Sequence, residues 1–326
     1  MMKIGLYNLE PSIVNTAMMQ VSTYHKLNND DVYIYSPLFH DEYDKIYAFS
    51  IFDYTDKCYV RDDMITGGTG FDIKSKLPVE ITKCEYDWSL YPDCDYSILW
   101  FSRGCIRNCP FCVVREKEGY IHSVEPLNLN PNGEYVKVMD NNFFANPNWN
   151  DGMDYLLDLG QKIDMQGFDI RIFNESQGEA LSQLKHHKAF KFAWDNPRDN
   201  IDDKIELLLD YIKPSNLMCY VLIGYWSSPM EDYRRVMHLW EKYKIHSFVM
   251  PYDKFNRYQK DFSRWVNNKI IFKSCTWEEY QEKIGRNYEC MCPYGDKRLN
   301  NHYQNSKGTI LSKYFYDNEE VHKGGY

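Results

Sequence analysis

From residue 96 onward the chain alternates short apolar runs with amphipathic stretches, and this rhythm restricts the fold more than any other feature. The strand candidates are YSILWF (96–101), YVKVMD (135–140), GFDIRIF (167–173), FKFAWD (190–195), LMCYVLIG (217–224) and IHSFVMPYD (245–253). Between them lie helical patterns: NWNDGMDYLLDLGQKI, SQGEALSQLKHH, NIDDKIELLLDYI and PMEDYRRVMHLWEKY. Asn150 and Ser176 stand where helix caps are expected. Strands interleaved with helices predict a parallel βα barrel or part of one. About 160 residues hold the six units, whereas a full eight-unit barrel takes about 250, so the expectation is a partial barrel. In such sheets chemistry gathers at the carboxyl ends of the strands.

The segment before it has its own strand–helix–strand order. KIGLYNL reads as a strand, SIVNTAMMQVSTYHKL as a helix capped by Ser12, and DVYIYSPL as a second strand. This order predicts a Rossmann-like α/β module. GGTGFDI (67–73) is glycine-rich, but KSKLP follows it rather than a helix, so it reads as a turn and not a phosphate cradle. Beyond Tyr252, RYQKDFSRWVNN is amphipathic, and the polar, tyrosine-rich tail from Gly285 reads as an extension. The expected domains are 1–94, 95–253 and 254–326.

Composition narrows the setting. No apolar run approaches the ~20 residues of a membrane-spanning helix. The N-terminal MMKIGLYNLEP lacks the basic, apolar and small-residue regions of a secretion signal, so a cytoplasmic protein is expected. There, the ten cysteines are expected to be reduced thiols or metal ligands. The net charge of −9, with no Lys/Arg run longer than two, disfavours a dedicated nucleic-acid binder. The 28 tyrosines invite a base-stacking role, but YDKFNRYQK and SKYFY are short mixtures of basic and aromatic residues.

SRGCIRNCPFC (102–112) sets Cys105, Cys109 and Cys112 on one short stretch. A structural zinc site wants four closed ligands at local spacing, and His122 is the nearest downstream candidate for a fourth. An iron–sulfur cluster also usually takes four thiolates. Three ligands imply a cluster with one open iron, where a substrate or cofactor coordinates. Three structural thiols are the alternative.

Cys-x3-Cys-x2-Cys after the first barrel strand, with Phe111 before the last cysteine and Asn108 and Pro110 inside, resembles the radical S-adenosylmethionine superfamily. The resemblance implies a 4Fe–4S cluster on Cys105, Cys109 and Cys112, whose open iron chelates S-adenosylmethionine. Reductive cleavage would then yield methionine and a 5′-deoxyadenosyl radical, which takes a hydrogen atom from substrate. It also implies a partial six-unit barrel and a reductant such as flavodoxin or ferredoxin. Asp140, Asn141 and Asn142, in MDNNFF, stand where the family binds the methionyl amine. The usual Gly-Gly-Glu is absent, and DNNF resembles members carrying an N-terminal cobalamin-binding module. Arg171 is a candidate for the cofactor carboxylate and Asp195 for the ribose hydroxyls. A salt bridge and a helix cap are their respective alternatives. Gly224 matches the glycine that lets adenine approach the backbone, and Phe111 is expected beside cluster and adenine.

The first domain lacks the Asp-x-His-x-x-Gly loop of cobalamin binders, so a degenerate module without cobalamin is expected. Cys58, Cys84 and Cys94 lack the second-cluster pattern of methylthiotransferases. Cys275, Cys290 and Cys292 read as ordinary thiols or an auxiliary cluster, and Cys219 as core. The resemblance leaves the substrate open among small molecules, peptides and nucleic-acid bases. Outside the enzyme class, a non-catalytic iron–sulfur protein for electron transfer or sensing is the alternative, with a zinc-stabilised nucleic-acid binder behind it.

Overall fold

A computed structural model describes residues 1–288. Cys290, Cys292 and the remainder of the expected C-terminal extension lie outside the described residues. The protein is mixed α/β with parallel sheets, in two compact units, Met1–Ile163 and the chain from Asp164 on. No helix among the described residues is long and apolar enough to cross a membrane.

The first unit opens with β1 (Lys3–Asn8), α1 (Thr16–Leu27), β2 (Asp31–Ile34), β3 (Lys45–Phe49), β4 (Ile65–Gly67) and α2 (Val79–Thr82). Their strands form a parallel sheet of order β2-β1-β3-β4. Ile4 and Leu6 of β1 pack on Met18 and Val21 of α1, which holds the helix to one face. Asn15, not Ser12, caps α1, its side chain accepting from the Met18 amide. GGTG forms a turn: Gly67 ends β4, and Gly68 has φ +98°, with its backbone against the Ser50 carbonyl.

Next come β5 (Tyr96–Leu99), β6 (Ser102–Arg103), α3 (Val114–Glu118), β7 (His122–Ser123), β8 (Tyr135–Val138), α4 (Trp149–Leu159) and β9 (Lys162–Met165). β5 and β8 pair in parallel, and β6 pairs antiparallel with β7. The expected boundary at 94/95 falls inside one core, where Met19, Tyr86, Trp88, Cys94 and Ile98 pack together. The chain passes between units within β9.

The second unit holds α5 (Glu175–Gln183), β10 (Phe190–Ala193), α6 (Asp202–Tyr211), β11 (Leu217–Ile223), α7 (Pro229–Tyr243), β12 (His246–Pro251), α8 (Arg257–Asn267), α9 (Lys269–Ser274) and α10 (Trp277–Lys283). β10, β11 and β12 form a parallel sheet. Asn267 closes the outer edge of β12, accepting from the Val249 amide at 2.7 Å and donating to its carbonyl at 2.9 Å. Buried Arg235 ties strand ends together by donating to the carbonyls of Trp194, Asp195 and Leu222, with Asp232 as its counter-ion.

The strand expected at 167–173 is not one. Gly160, at φ +63°, ends α4 early, and the strand is Lys162–Met165. Residues Ile170–Ile172 form a 3₁₀ turn capped by Asp169. Ile170 and Phe173 are three apart and fully buried, a spacing that suits a 3₁₀ turn better than alternation. The helix starts expected at Asn150 and Ser176 also move. α4 follows Asn148, and α5 carries an Asn174–Gln177 capping box. The described strands form three parallel sheets and the antiparallel β6–β7 pair, with no closed barrel among them.

Candidate cysteine-loop site

The loop holding the three cysteines leaves the carboxyl end of β5 and is bracketed by the β6–β7 pair. Gly104 opens it at φ +81°, where a Cβ would stand 2.6 Å from the Tyr120 carbonyl oxygen and 2.7 Å from that of Gly119. Only glycine fits so close to backbone. Cys105 and Cys109 are partly buried and Cys112 is exposed. The Arg107 amide donates to Cys105 Sγ at 3.4 Å, and the Cys112 amide to the Cys109 carbonyl at 2.9 Å.

The short helix α3 grips the start of this loop. Arg115 Nη1 donates to the Cys105 carbonyl at 3.0 Å while its guanidinium lies over the Tyr120 ring. Glu118 accepts from Arg103 Nη2 at 2.7 Å, from the Gly104 amide at 2.9 Å and from Asn141 Nδ2 at 2.8 Å. Arg103 in turn stacks on Trp100, 3.8 Å from its ring centre. The peptide groups around Cys105 are therefore held by residues that follow Cys112. Glu118 and Arg115 carry no motif signal, and their role emerges from the folded loop alone.

The end of β8 brings the three polar candidates into this neighbourhood with different fates. Asp140 is buried and accepts from the Phe101 amide at 2.9 Å and from the Ser102 hydroxyl. Burial pushes its carboxyl up to about 6, against those hydrogen bonds. Asn142 is buried beneath the turn at Phe143–Ala145. Asn141 is exposed at the loop. Phe111 is half-buried on the loop itself.

The other three candidates belong to the second unit. Asp169 grips Arg171 through Nε at 2.7 Å and Nη2 at 3.1 Å, and Asp199 takes Nη1 at 3.0 Å, the salt-bridge alternative weighed for it. Asp195 Oδ1 is buried without a hydrogen-bond partner, and burial raises its carboxyl, offset by Arg235 and Arg171. Gly224 has φ +76°, and a Cβ there would meet the Gln259 side chain at 1.9 Å. Beyond Gly224, Tyr225 contacts Trp226 and Tyr252 edge-on, at 5.2 and 4.7 Å between ring centres.

Three thiols with an amide N–H on one sulfur make a soft donor set suited to iron–sulfur ligation. Among the described residues, no three His, Cys, Asp or Glu side chains converge as a ready-made metal site. The chemistry of the donors fits a cluster, and the sulfurs must draw together to bind it. No protein-family model matches the chain, and no curated protein matches it.

Proposed function

We propose that the chain is a radical S-adenosylmethionine enzyme built on a partial six-unit βα barrel behind a Rossmann-like module. The observation that carries this reading is the Cys-x3-Cys-x2-Cys loop at the carboxyl end of parallel strand β5, beside the polar end of β8. Cys105, Cys109 and Cys112 would hold a 4Fe–4S cluster, leaving one iron for the amino and carboxylate groups of S-adenosylmethionine. When bound, the pair supplies one-electron cleavage of the cofactor and, through it, hydrogen abstraction from substrate.

The chain's own residues prepare that site. Glu118 and Arg115 hold the loop entry so that Cys105 is positioned before metal arrives. The Arg107 amide supplies a hydrogen bond to sulfur, a contact that tunes cluster potential. Asn141 offers an exposed polar group at the strand end.

The test is anaerobic reconstitution of the full chain. About four irons and four sulfides per chain are expected. Dithionite-reduced protein should convert S-adenosylmethionine to 5′-deoxyadenosine, and Cys109→Ala protein should not. A fully loaded cluster that never cleaves the cofactor, and whose electron paramagnetic resonance signal ignores it, overturns the reading in favour of a non-catalytic iron–sulfur protein.

A further inference from the structure

We propose that the second unit carries a binding cleft of its own, between α7 and the loop joining β10 to α6, for a small aromatic compound bearing a carboxylate or phosphate group. The inference rests neither on the cysteine loop nor on the reading above.

The cleft follows from the two sides of α7. Val236, Leu239 and Tyr243 are buried on one side. Met230, Tyr233, Arg234, Met237, His238 and Glu241 recur at the three- and four-residue spacing of another. Together with loop residues from Trp194 to Asp202, that second side lines a cavity of about 820 Å³. Cavities of this order take small molecules.

The charges in its walls do not cancel. Asp199 is held by Arg171 at 3.0 Å, and Asp202 by His238 at 2.8 Å and Lys242 at 3.1 Å. Glu231 accepts from the Ser228 amide and hydroxyl at 2.8 Å each. Arg235, with a side chain 3% exposed, is spent on Asp232 and on carbonyls, while its Nε is buried in the cleft wall without a partner. Arg198 and Arg234 differ from it: neither guanidinium has a hydrogen bond or ion pair among the described residues, and both line the cavity. Glu241 is the remaining unpaired carboxylate, about 10 Å along the helix from Arg234 at 1.5 Å per residue. It repels an anion from its own end and leaves the arginine end to receive one. A planar guanidinium takes a carboxylate or phosphate through two parallel bonds.

The rest of the wall selects what the anion is attached to. Trp194 is fixed by its Nε1, which donates to the Asp199 carbonyl at 3.1 Å, and its ring meets His238 edge-on. Tyr233 lies nearly parallel to Trp265, 6.3 Å between ring centres. Two braced rings, with the adaptable thioethers of Met230 and Met237, suit a flat apolar body. A bare anion would leave those surfaces uncovered.

The test uses the full chain without loading a cluster. Calorimetric titration compares 1-naphthoate, 1-naphthyl phosphate, 1-naphthol and inorganic phosphate. The tighter of the two aromatic anions should bind with a Kd below about 1 mM and thereby names the anionic group. Naphthol and inorganic phosphate should bind at least about tenfold more weakly. Arg198→Gln and Arg234→Gln should each weaken the aromatic anion by on the order of tenfold, the scale of one charge-assisted hydrogen bond, and leave naphthol unchanged. Both side chains are exposed, so the fold should survive either change.

The inference is overturned if neither aromatic anion binds, if naphthol binds as tightly, or if both arginine variants bind like wild type. Displacement of the bound anion by S-adenosylmethionine would also overturn it, by making the cleft part of the cofactor's site. A chain that never loads a cluster leaves these titrations untouched, so this inference and the functional reading fail separately.

Discussion

Two parallel-sheet edges of the first unit each bury a saturated carboxylate but differ in what they leave exposed around it. Beyond β1, Glu10 turns inward and accepts from the Ser50 and Thr55 hydroxyls and from the amides of Ile51 and Phe52. The chain's own loop saturates it. Beyond β5 and β8, Asp140 is likewise saturated from within, but the loop above it keeps its thiols only partly covered and leaves Asn141 exposed. A sheet edge becomes a binding site when its polar groups are not all consumed by the chain. The first edge is consumed at Glu10, while the second presents partly exposed thiols and the exposed Asn141.

The largest expected effect breaks the second edge. Cys109→Ala should reduce iron from about four per chain toward none and abolish 5′-deoxyadenosine formation, read by iron assay and product analysis. Folding should be little changed, because the thiols lie on a partly exposed loop. Glu10→Ala should do the reverse. It strands two part-buried amides and the Thr55 hydroxyl, for a cost of about 2–4 kcal/mol in urea unfolding. Iron uptake by the surviving folded protein should be unaffected.

The same contrast explains what could be read in advance. Strands at 96–99, 135–138, 190–193, 217–223 and 246–251 were legible because alternation and flanking helices agree there. Residues 167–173 misled because Phe168, Ile170 and Ile172 alternate, yet burial passes from Phe168 and Ile170 to Phe173 and leaves Ile172 half-buried. β4 spans three residues, too few to show any period. The cysteine spacing is local and therefore visible. Glu118 reaches Gly104 across 14 residues and Asn141 across 23, and Glu10 reaches Ser50 across 40. Such ties exist only once the loops have closed. Arg171 stood out as a charge at a strand end, but that charge is met by two aspartates of its own unit.

A smaller effect separates the edges by pH. Asp140 has a folded value of about 6, above its ordinary 3.8, because burial outweighs its hydrogen bonds. The folded protein thus holds that proton more tightly than the unfolded chain does. Its contribution is greatest below about pH 4 and declines as pH rises through 6, by at most about 3 kcal/mol. For Glu10 burial also pushes upward, but bonds from Thr55, Ile51, Phe52 and Ser50 win and hold it below its ordinary 4.5. Its contribution is present above that pH and is lost on acidification. Urea unfolding between pH 4 and 7 should show the wild-type stability falling relative to Asp140→Asn as pH rises. Below about pH 4.5 the comparison with Glu10→Gln should show wild type losing stability as pH falls. Parallel curves for wild type and Asp140→Asn would show that the carboxyl titrates normally.

The smallest effect asks whether the edges communicate. Lys117 Nζ, on the helix that follows the cysteines, donates to Thr69 Oγ1 of the glycine turn at 3.0 Å. That turn packs on Ser50, a donor to Glu10, so one hydrogen bond connects the saturated edge to the open one. Thr69→Val should cost about 0.5–1.5 kcal/mol, the usual net value of a single bond. A path through one such bond cannot carry more coupling than the bond itself. Glu10→Gln and Glu118→Gln should therefore combine additively to within about 0.5 kcal/mol, and adding Thr69→Val should contribute only its own cost. A larger deviation in the double-mutant cycle would mean that the first module acts on the cysteine loop, and that the two edges work as one device.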